Sequence, residues 1–176
     1  MTTWIYVLLM LVLLCGSAFF SASEMALSSA NRMRLASAAE EGNRAAGIAC
    51  KVIDKYENAL SAILIGNNLC NIGSDSIVTV LGIALLGEKY NGWVAVLITR
   101  CRTAISIVFC ESAPKIAAKK NANRFSMAVA PFVRFLMIVL SPVIFLVSLL
   151  IRLITLPLKG ENSGENTEEE AAAELQ

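Results

Sequence analysis

The sequence has no histidine and is poor in charged and aromatic residues. Charged residues make up 16% of its 176 residues and aromatic residues 7%, against 56% hydrophobic residues. Without histidine, the chain lacks the commonest transition-metal ligand and the usual general base near neutral pH, so we expect neither zinc chemistry nor an enzyme. The formal net charge is only +1, which offers no field to attract nucleic acid, and we expect no nucleic-acid partner.

The N-terminal apolar run also lacks a basic residue ahead of it. It extends from Trp4 to Phe20 with no Lys or Arg before it, so it does not have the basic region of a secretory signal peptide. We interpret it as a retained membrane span. The small residues Ala22 and Ser23 resemble a cleavage site, which keeps a cleaved leader as the alternative.

Long apolar stretches are what the sequence has in abundance. Three of them, at about residues 3–23, 59–87 and 92–114, exceed or match the roughly 20 helical residues that cross a bilayer. A fourth run, about residues 125–156, is interrupted by Pro131 and Pro142. We interpret it as a juxtamembrane helix that bends into or lies along the inner leaflet, with a fourth span as the alternative. The fold class is an all-α membrane protein.

Basic residues cluster in two of the three connections. Five lie in residues 25–58, whose composition predicts a short helical hairpin, and four lie in residues 115–124, whereas residues 88–91 hold Lys89 alone. The positive-inside rule therefore predicts an N-terminus outside and a C-terminus in the cytosol, for a multi-pass protein of the plasma (inner) membrane. Residues 1–157 form the membrane domain, and residues 158–176 are an acidic linker or tail toward an absent cytosolic domain.

The end of the third span carries a charge and a proline. Within residues 110–115, Pro114 has no N–H, so in an α-helix the Cys110 carbonyl loses its donor beside Glu111. A freed carbonyl next to a carboxylate is an oxygen-rich site for a hard cation. The alternative without function is an interfacial ion pair between Glu111 and Lys115 at i and i+4.

Two further polar groups interrupt the spans. Ser21 and Ser23, followed by Glu24, end the first span, and Asn67 and Asn71 stand at i and i+4 in the second. Amide hydrogen bonds between helices are the structural alternative for the asparagines. Taken together with Glu111, these side chains offer only oxygen ligands, which suit Mg²⁺, Ca²⁺ or Na⁺.

A second intramembrane charge is expected to be paired. Asp75 in the second span and Arg100 or Arg102 in the third fall at similar depth, which predicts a buried ion pair. We interpret this pair as structural, with a gate on the outer side as the alternative.

Three segments resemble the signature motifs of the CorC/CNNM magnesium transporters, over about residues 4–157. Residues 20–27 are similar to Ser-Gly-Ser-Glu-x-Ala-Leu, residues 64–72 to Gly-Asn-x-x-x-Asn-Ile, and residues 109–115 to Phe-Gly-Glu-x-x-Pro-Lys. Ala22 and Cys110 stand where the family usually has glycine.

The resemblance implies a homodimer with three crossing helices per protomer, a juxtamembrane belt helix and tandem cytosolic CBS domains in the full-length chain. It implies Mg²⁺ efflux, with Na⁺ as a candidate coupling ion. The alternative is a Mg²⁺-sensing membrane scaffold or regulator that does not itself transport. The implied Mg²⁺ ligands are Ser21, Ser23, Asn67, Asn71 and Glu111. Support is expected from Glu24, Asn68, Cys110, Pro114 and Lys115.

Overall fold

The computed structural model of the chain describes residues 2–87, 92–146 and 149, and all the regular structure in those residues is helical. The chain divides into two units, Met1–Ile138 and Val139–Gln176. The second unit has a short helical segment at residues 141–146. The predicted external link 88–91 and the acidic segment 158–176 lie outside the described residues, as does most of the juxtamembrane helix beyond residue 146. The helices are α1 (Thr2–Ser29), α2 (Arg32–Glu40), α3 (Arg44–Ile53), α4 (Tyr56–Leu86), α5 (Gly92–Ser106), a π-helical segment (Ile107–Ser112), α6 (Ala113–Lys120) and α7 (Ala122–Val139).

Four helical stretches are long and apolar enough to cross a membrane, by length and composition. They are Thr3–Ser29, Tyr56–Leu86, Gly92–Lys120 and Ala122–Val139. The chain is therefore an all-α, multi-pass membrane protein. The third stretch continues through Pro114 to Lys120, six residues beyond the end predicted from the sequence. The helix is not broken at the proline, because the π-helical segment precedes it directly.

The helices α1 and α4 pack side by side in opposite directions. Residues near the end of α1 contact the earlier part of α4, and residues further back in α1 contact its later part. In each contact a glycine faces a larger residue. A Cβ at Gly66 would lie 2.5 Å from Phe20 Cζ, which shows that the Phe20 ring lies against the α4 backbone and must move to admit a larger residue. The pairs are Phe20 with Gly66, Gly16 with Cys70, and Leu13 with Gly73.

The helix α6 packs on another face of α1 and runs in the same direction. Ala22 and Ala26 form a small buried cluster with Ala118, and Glu24 lies beside Lys115. Small side chains at this contact allow close approach, as they do between α1 and α4. The order of contacts makes α1 and the α5–α6 stretch parallel, with α4 antiparallel to both.

Two short helices fill the segment between α1 and α4. Asn31 caps α2 and Asn43 caps α3, each through a side-chain oxygen that accepts backbone N–H groups. Arg32 Nε donates to Asp54 Oδ1 at 2.7 Å, and this hydrogen bond holds the pKa of Asp54 below its usual range. The pair ties the start of α2 to the end of α3.

The helix α7 contributes one face to the largest buried cluster. Phe132 stacks edge-on against Phe19, with ring centroids 5.3 Å apart, while Asn43 Nδ2 lies 3.7 Å from Met127 Sδ. One helix therefore contacts both α1 and the turn between α2 and α3. The buried residues of α7 recur every three to four positions, as expected of an amphipathic helix: Ala122, Ser126, Val129, Ala130 and Val133.

Gly66→Ala is expected to lower the free energy of unfolding by about 1–3 kcal/mol, because the Phe20 ring must move to admit the new methyl group. Thermal unfolding in detergent micelles measures the change. Gly47→Ala is the matched control: its Cβ meets only Ala39 Cβ, at an ordinary 3.8 Å, so stability should stay equal or rise. Equal melting of the two variants would show that the α1–α4 approach does not govern stability.

Candidate cation site

The polar groups of α1 and α4 meet at Ser17, a residue that sequence reasoning missed. Its hydroxyl is fully buried, at 0% exposure, and donates to Asn67 Oδ1 at 2.7 Å, with Asn71 Oδ1 at 3.2 Å. One hydroxyl proton cannot satisfy two amide oxygens fully. Three oxygen atoms thus lie close together, and their lone pairs can coordinate a cation if the hydroxyl turns its proton aside. The spacing in the sequence could have revealed Ser17, because it precedes Ser21 by four residues, just as Asn67 precedes Asn71.

Ser21 lies one turn further along the same face of α1, about 6 Å from Ser17 along the helix axis. It is 1% exposed, and within the described residues its Oγ has no hydrogen-bond partner. A buried hydroxyl in that condition costs about 1–3 kcal/mol, so native structures place water or a ligand against such groups. Ser23 differs, because it donates to the Phe19 carbonyl at 2.7 Å within α1 and keeps only its lone pairs for a ligand.

Glu111 lies on the π-helical segment, half-buried, where that segment packs against α1. The Ala113 N–H bonds to the Val108 carbonyl, five residues back. With this five-residue spacing, the carbonyl that lacks a donor because of Pro114 belongs to Phe109. The four-residue spacing of an α-helix predicts Cys110. The carbonyl freed by the proline is therefore one residue earlier in the chain than predicted. Cys110 itself is buried, and π-helical turns often occur at functional sites.

Lys115 pairs with Glu24 on α1, and the two charged atoms lie 2.9 Å apart. The alternative interpretation, in which Lys115 pairs with Glu111, is therefore wrong. Glu111 has no ion-pair partner among residues 2–87 and 92–146. A half-buried carboxylate without a fixed counter-charge attracts a mobile cation.

The structure unites some of the predicted site residues and separates others. Asn67 and Asn71 meet through Ser17, and Glu24 meets Lys115, whereas Asn68 is exposed and Pro114 occupies the first turn of α6. In the part of the chain that the structure describes, no three His, Cys, Asp or Glu side chains are grouped to hold a metal. A metal here would depend on hydroxyl and amide oxygens with one carboxylate, a donor set that fits a hard cation.

The predicted intramembrane ion pair is confirmed, with Arg102 as the partner of Asp75. Arg102 Nη1 donates to Asp75 Oδ1, and the Arg102 side chain is 13% exposed against 47% for Asp75. The Nε and Nη2 atoms of Arg102 are buried and find no acceptor among the described residues. Asp75 follows Asn71 by one helical turn, so polar groups continue along α4 beyond the asparagine pair.

Comparison with known sequences identifies the family. The profile of the cyclin M (CNNM) transmembrane N-terminal domain matches residues 8–176. The chain belongs to the cyclin M family. It is 34% identical to a UPF0053 protein of Haemophilus influenzae over 81% of its length, and 35% identical to the UPF0053 inner membrane protein YfjD of Escherichia coli over 78%. These alignments cover 33% and 31% of the two relatives, so the cyclin M domain spans about a third of the curated relatives it matches. The resemblance drawn from three motifs is confirmed.

Ser17→Ala in this cyclin M domain removes the side-chain donor shared by two buried amide oxygens. We expect the free energy of unfolding to fall by about 1–3 kcal/mol, because both oxygens are left without a partner. Denaturant titration in micelles gives the value. Ser76→Ala is the control, since that exposed hydroxyl on α4 bonds only to the Ile72 carbonyl, and its effect should stay within about 0.5 kcal/mol. Losses of equal size would contradict a special role for Ser17.

Proposed function

We propose that this cyclin M domain is the membrane part of a magnesium transporter that moves Mg²⁺ out of the cytosol, with Na⁺ as a candidate coupling ion. The observation that carries the proposal is the convergence of Ser17, Asn67 and Asn71 on one point between two tightly packed helices. Hydrocarbon offers no water to such oxygens, so their concentration there favours an ion that replaces water. Mg²⁺ prefers oxygen ligands and seldom sheds all its waters, which fits a set of mostly neutral donors.

The proposed ligands are Ser21, Ser23, Asn67, Asn71 and Glu111, with Ser17 added from the structure. Ser21 supports the assignment because its buried hydroxyl lacks a partner. Glu111 supplies the negative charge, and its freedom from Lys115 leaves that charge for the ion. A carbonyl released near Pro114 is a further candidate donor.

In the proposed architecture α1, α4 and the α5–α6 stretch cross the membrane, and α7 lies along its cytosolic surface as the belt helix. The alternating directions of α1, α4 and the α5–α6 stretch support this arrangement. The start of α7 meets the polar α2–α3 segment, since the Asn31 N–H donates to Asn123 Oδ1 at 2.7 Å. This contact at the first turn of α7 supports a position for the helix at the membrane surface. The N-terminus is then outside and the C-terminus cytosolic, in the plasma (inner) membrane.

The whole protein is proposed to be a homodimer whose cytosolic CBS domains follow this domain. The chain covers about a third of its relatives, which leaves room for such domains in those proteins. Alternating access in the dimer would expose the ion first to the cytosol and then to the outside.

The pair of Asp75 and Arg102 is proposed to close the outer side of the pathway. It lies one turn beyond Asn71, and its guanidinium would repel a cation that moves outward along α4. Nearly half of the Asp75 side chain is exposed, and within a membrane such a carboxylate faces water or protein because lipid would penalise it. Outward release would then require Arg102 to leave the path.

Glu111→Gln is expected to abolish Mg²⁺ flux from loaded liposomes and to weaken Mg²⁺ binding at least about tenfold, or roughly 1.4 kcal/mol. The amide keeps the shape of the side chain and removes its charge. Calorimetry on the purified chain measures binding, and a fluorescent indicator measures flux.

Glu57→Gln serves as the control, because that carboxylate lies in the first turn of α4, away from the asparagine pair. Undiminished binding and flux in Glu111→Gln would contradict the proposal. Binding without any flux in the unaltered chain would support the sensing alternative.

Asp75→Asn alone should destabilise the chain by about 3–5 kcal/mol, because it leaves a buried guanidinium unpaired. The double variant Asp75→Asn/Arg102→Gln should recover much of that loss. In a background with Cys70 as the sole cysteine, the double variant should also speed labelling of Cys70 by an impermeant maleimide added outside. Arg100→Gln is the matched control. Unchanged labelling in the double variant would limit the pair to a structural role.

A further inference from the structure

A cleft of about 350 Å³ lies where α1 ends, α2 begins and α6 meets α7. Three basic residues from separate helices surround it, and hydroxyl and amide side chains complete its wall. No acidic residue lines it among the residues that the structure describes. The lining residues that matter here are Arg34, Lys120, Arg124, Ser29, Asn31 and Asn121.

The three basic residues of this basic cleft are not neutralised within the protein. Two nearby basic residues differ in this respect, because Arg32 pairs with Asp54 and Lys115 pairs with Glu24. By contrast, the described residues include no ion-pair partner for any of the three around the cleft. Like charges held around one cavity repel each other, and an anion in the cavity would turn that repulsion into attraction.

The wall of the cleft is built by specific contacts. The Asn31 N–H donates to Asn123 Oδ1 at 2.7 Å, which joins the start of α2 to the first turn of α7. Asn31 Oδ1 accepts from the Arg34 N–H at 3.1 Å and so orients the turn that presents the guanidinium. These contacts fix the backbone turns that carry Arg34 and Arg124 beside the cavity.

In the proposed membrane arrangement the cleft also lies at the level of lipid headgroups. The helix α1 and the stretch Gly92–Lys120 run parallel, and both end at the cleft, so in that arrangement it occupies the place where the two leave the membrane on the same side. Arginine recognises phosphate through its planar fork of N–H donors, and lysine adds a point charge. Basic groups just outside a membrane span are attracted to anionic lipid.

We infer that the basic cleft binds the phosphate group of an anionic phospholipid in the leaflet that faces α2 and α7. The inference rests on the proposed membrane arrangement of the helices and not on magnesium transport. Lipid bound there would hold α6, α7 and α2 together from outside, because each of these helices, or the turn next to it, contributes to the wall. The shared chemistry of a phosphate also admits inorganic phosphate as the source.

The test compares phosphatidylcholine bilayers with and without phosphatidylglycerol. Native mass spectrometry counts retained phosphatidylglycerol, and thermal unfolding reports the stabilisation it confers. The variant Arg34→Gln/Lys120→Gln/Arg124→Gln should lose most of both effects. Its matched control, Arg44→Gln/Lys51→Gln/Lys55→Gln, removes the same charge from the neighbouring segment without touching the cleft and should keep them.

Equal losses in the two triple variants would overturn the inference, because they would show a diffuse charge effect with no specific cleft. Inorganic phosphate added to phosphatidylcholine bilayers is the second arm. If it stabilises the unaltered chain as much as phosphatidylglycerol does, the lipid source is wrong. Should the triple variant fail to fold, Arg34→Gln and Arg124→Gln are tested singly. Each should reduce phosphatidylglycerol retention severalfold, and full retention in both would overturn the inference.

Discussion

Hydrocarbon gives a buried polar group no water to bond with, and this constraint shapes the contact between α1 and α4. Glycine at Gly66 lets the Phe20 ring lie against the α4 backbone, and that approach brings Ser17 within hydrogen-bond distance of Asn67. The asparagines are tolerated in a span because α1 supplies a donor. Without the close approach, the same amides would face lipid at a cost of several kcal/mol.

A second consequence concerns the distribution of charge around α1. Lys115 is held by Glu24, so within the described residues Glu111 has no ion-pair partner beside the same helix. Two carboxylates beside α1 thus differ: Glu24 fixes α6 to α1, and Glu111 is the one proposed to meet a mobile cation. The π-helical segment contributes by carrying the helix through Pro114, which keeps Lys115 in reach of Glu24.

Much of the fold and part of the site could be predicted from the sequence. Apolar length predicts the spans, because bilayer thickness sets a minimum that few other structures reach. The ion pair of Asp75 was predictable, since an unpaired charge at that depth is too costly, but the choice of Arg102 over Arg100 depends on which face of α5 meets α4. Ser17 escaped prediction because an isolated serine in a span is common, and its importance depends on the partners across the helix contact.

The sequence by itself determined that this chain is helical, lies in a membrane and offers oxygen ligands, because composition and segment length alone decide how a chain divides between water and lipid. Only the tertiary structure decided that Ser17 joins the asparagines, that Lys115 pairs with Glu24 and that three basic residues surround one cleft. Each of these depends on the relative rotation and depth of two helices. Those quantities follow from packing between side chains far apart in the chain, such as Phe20 and Gly66, and local spacing within one helix does not encode them.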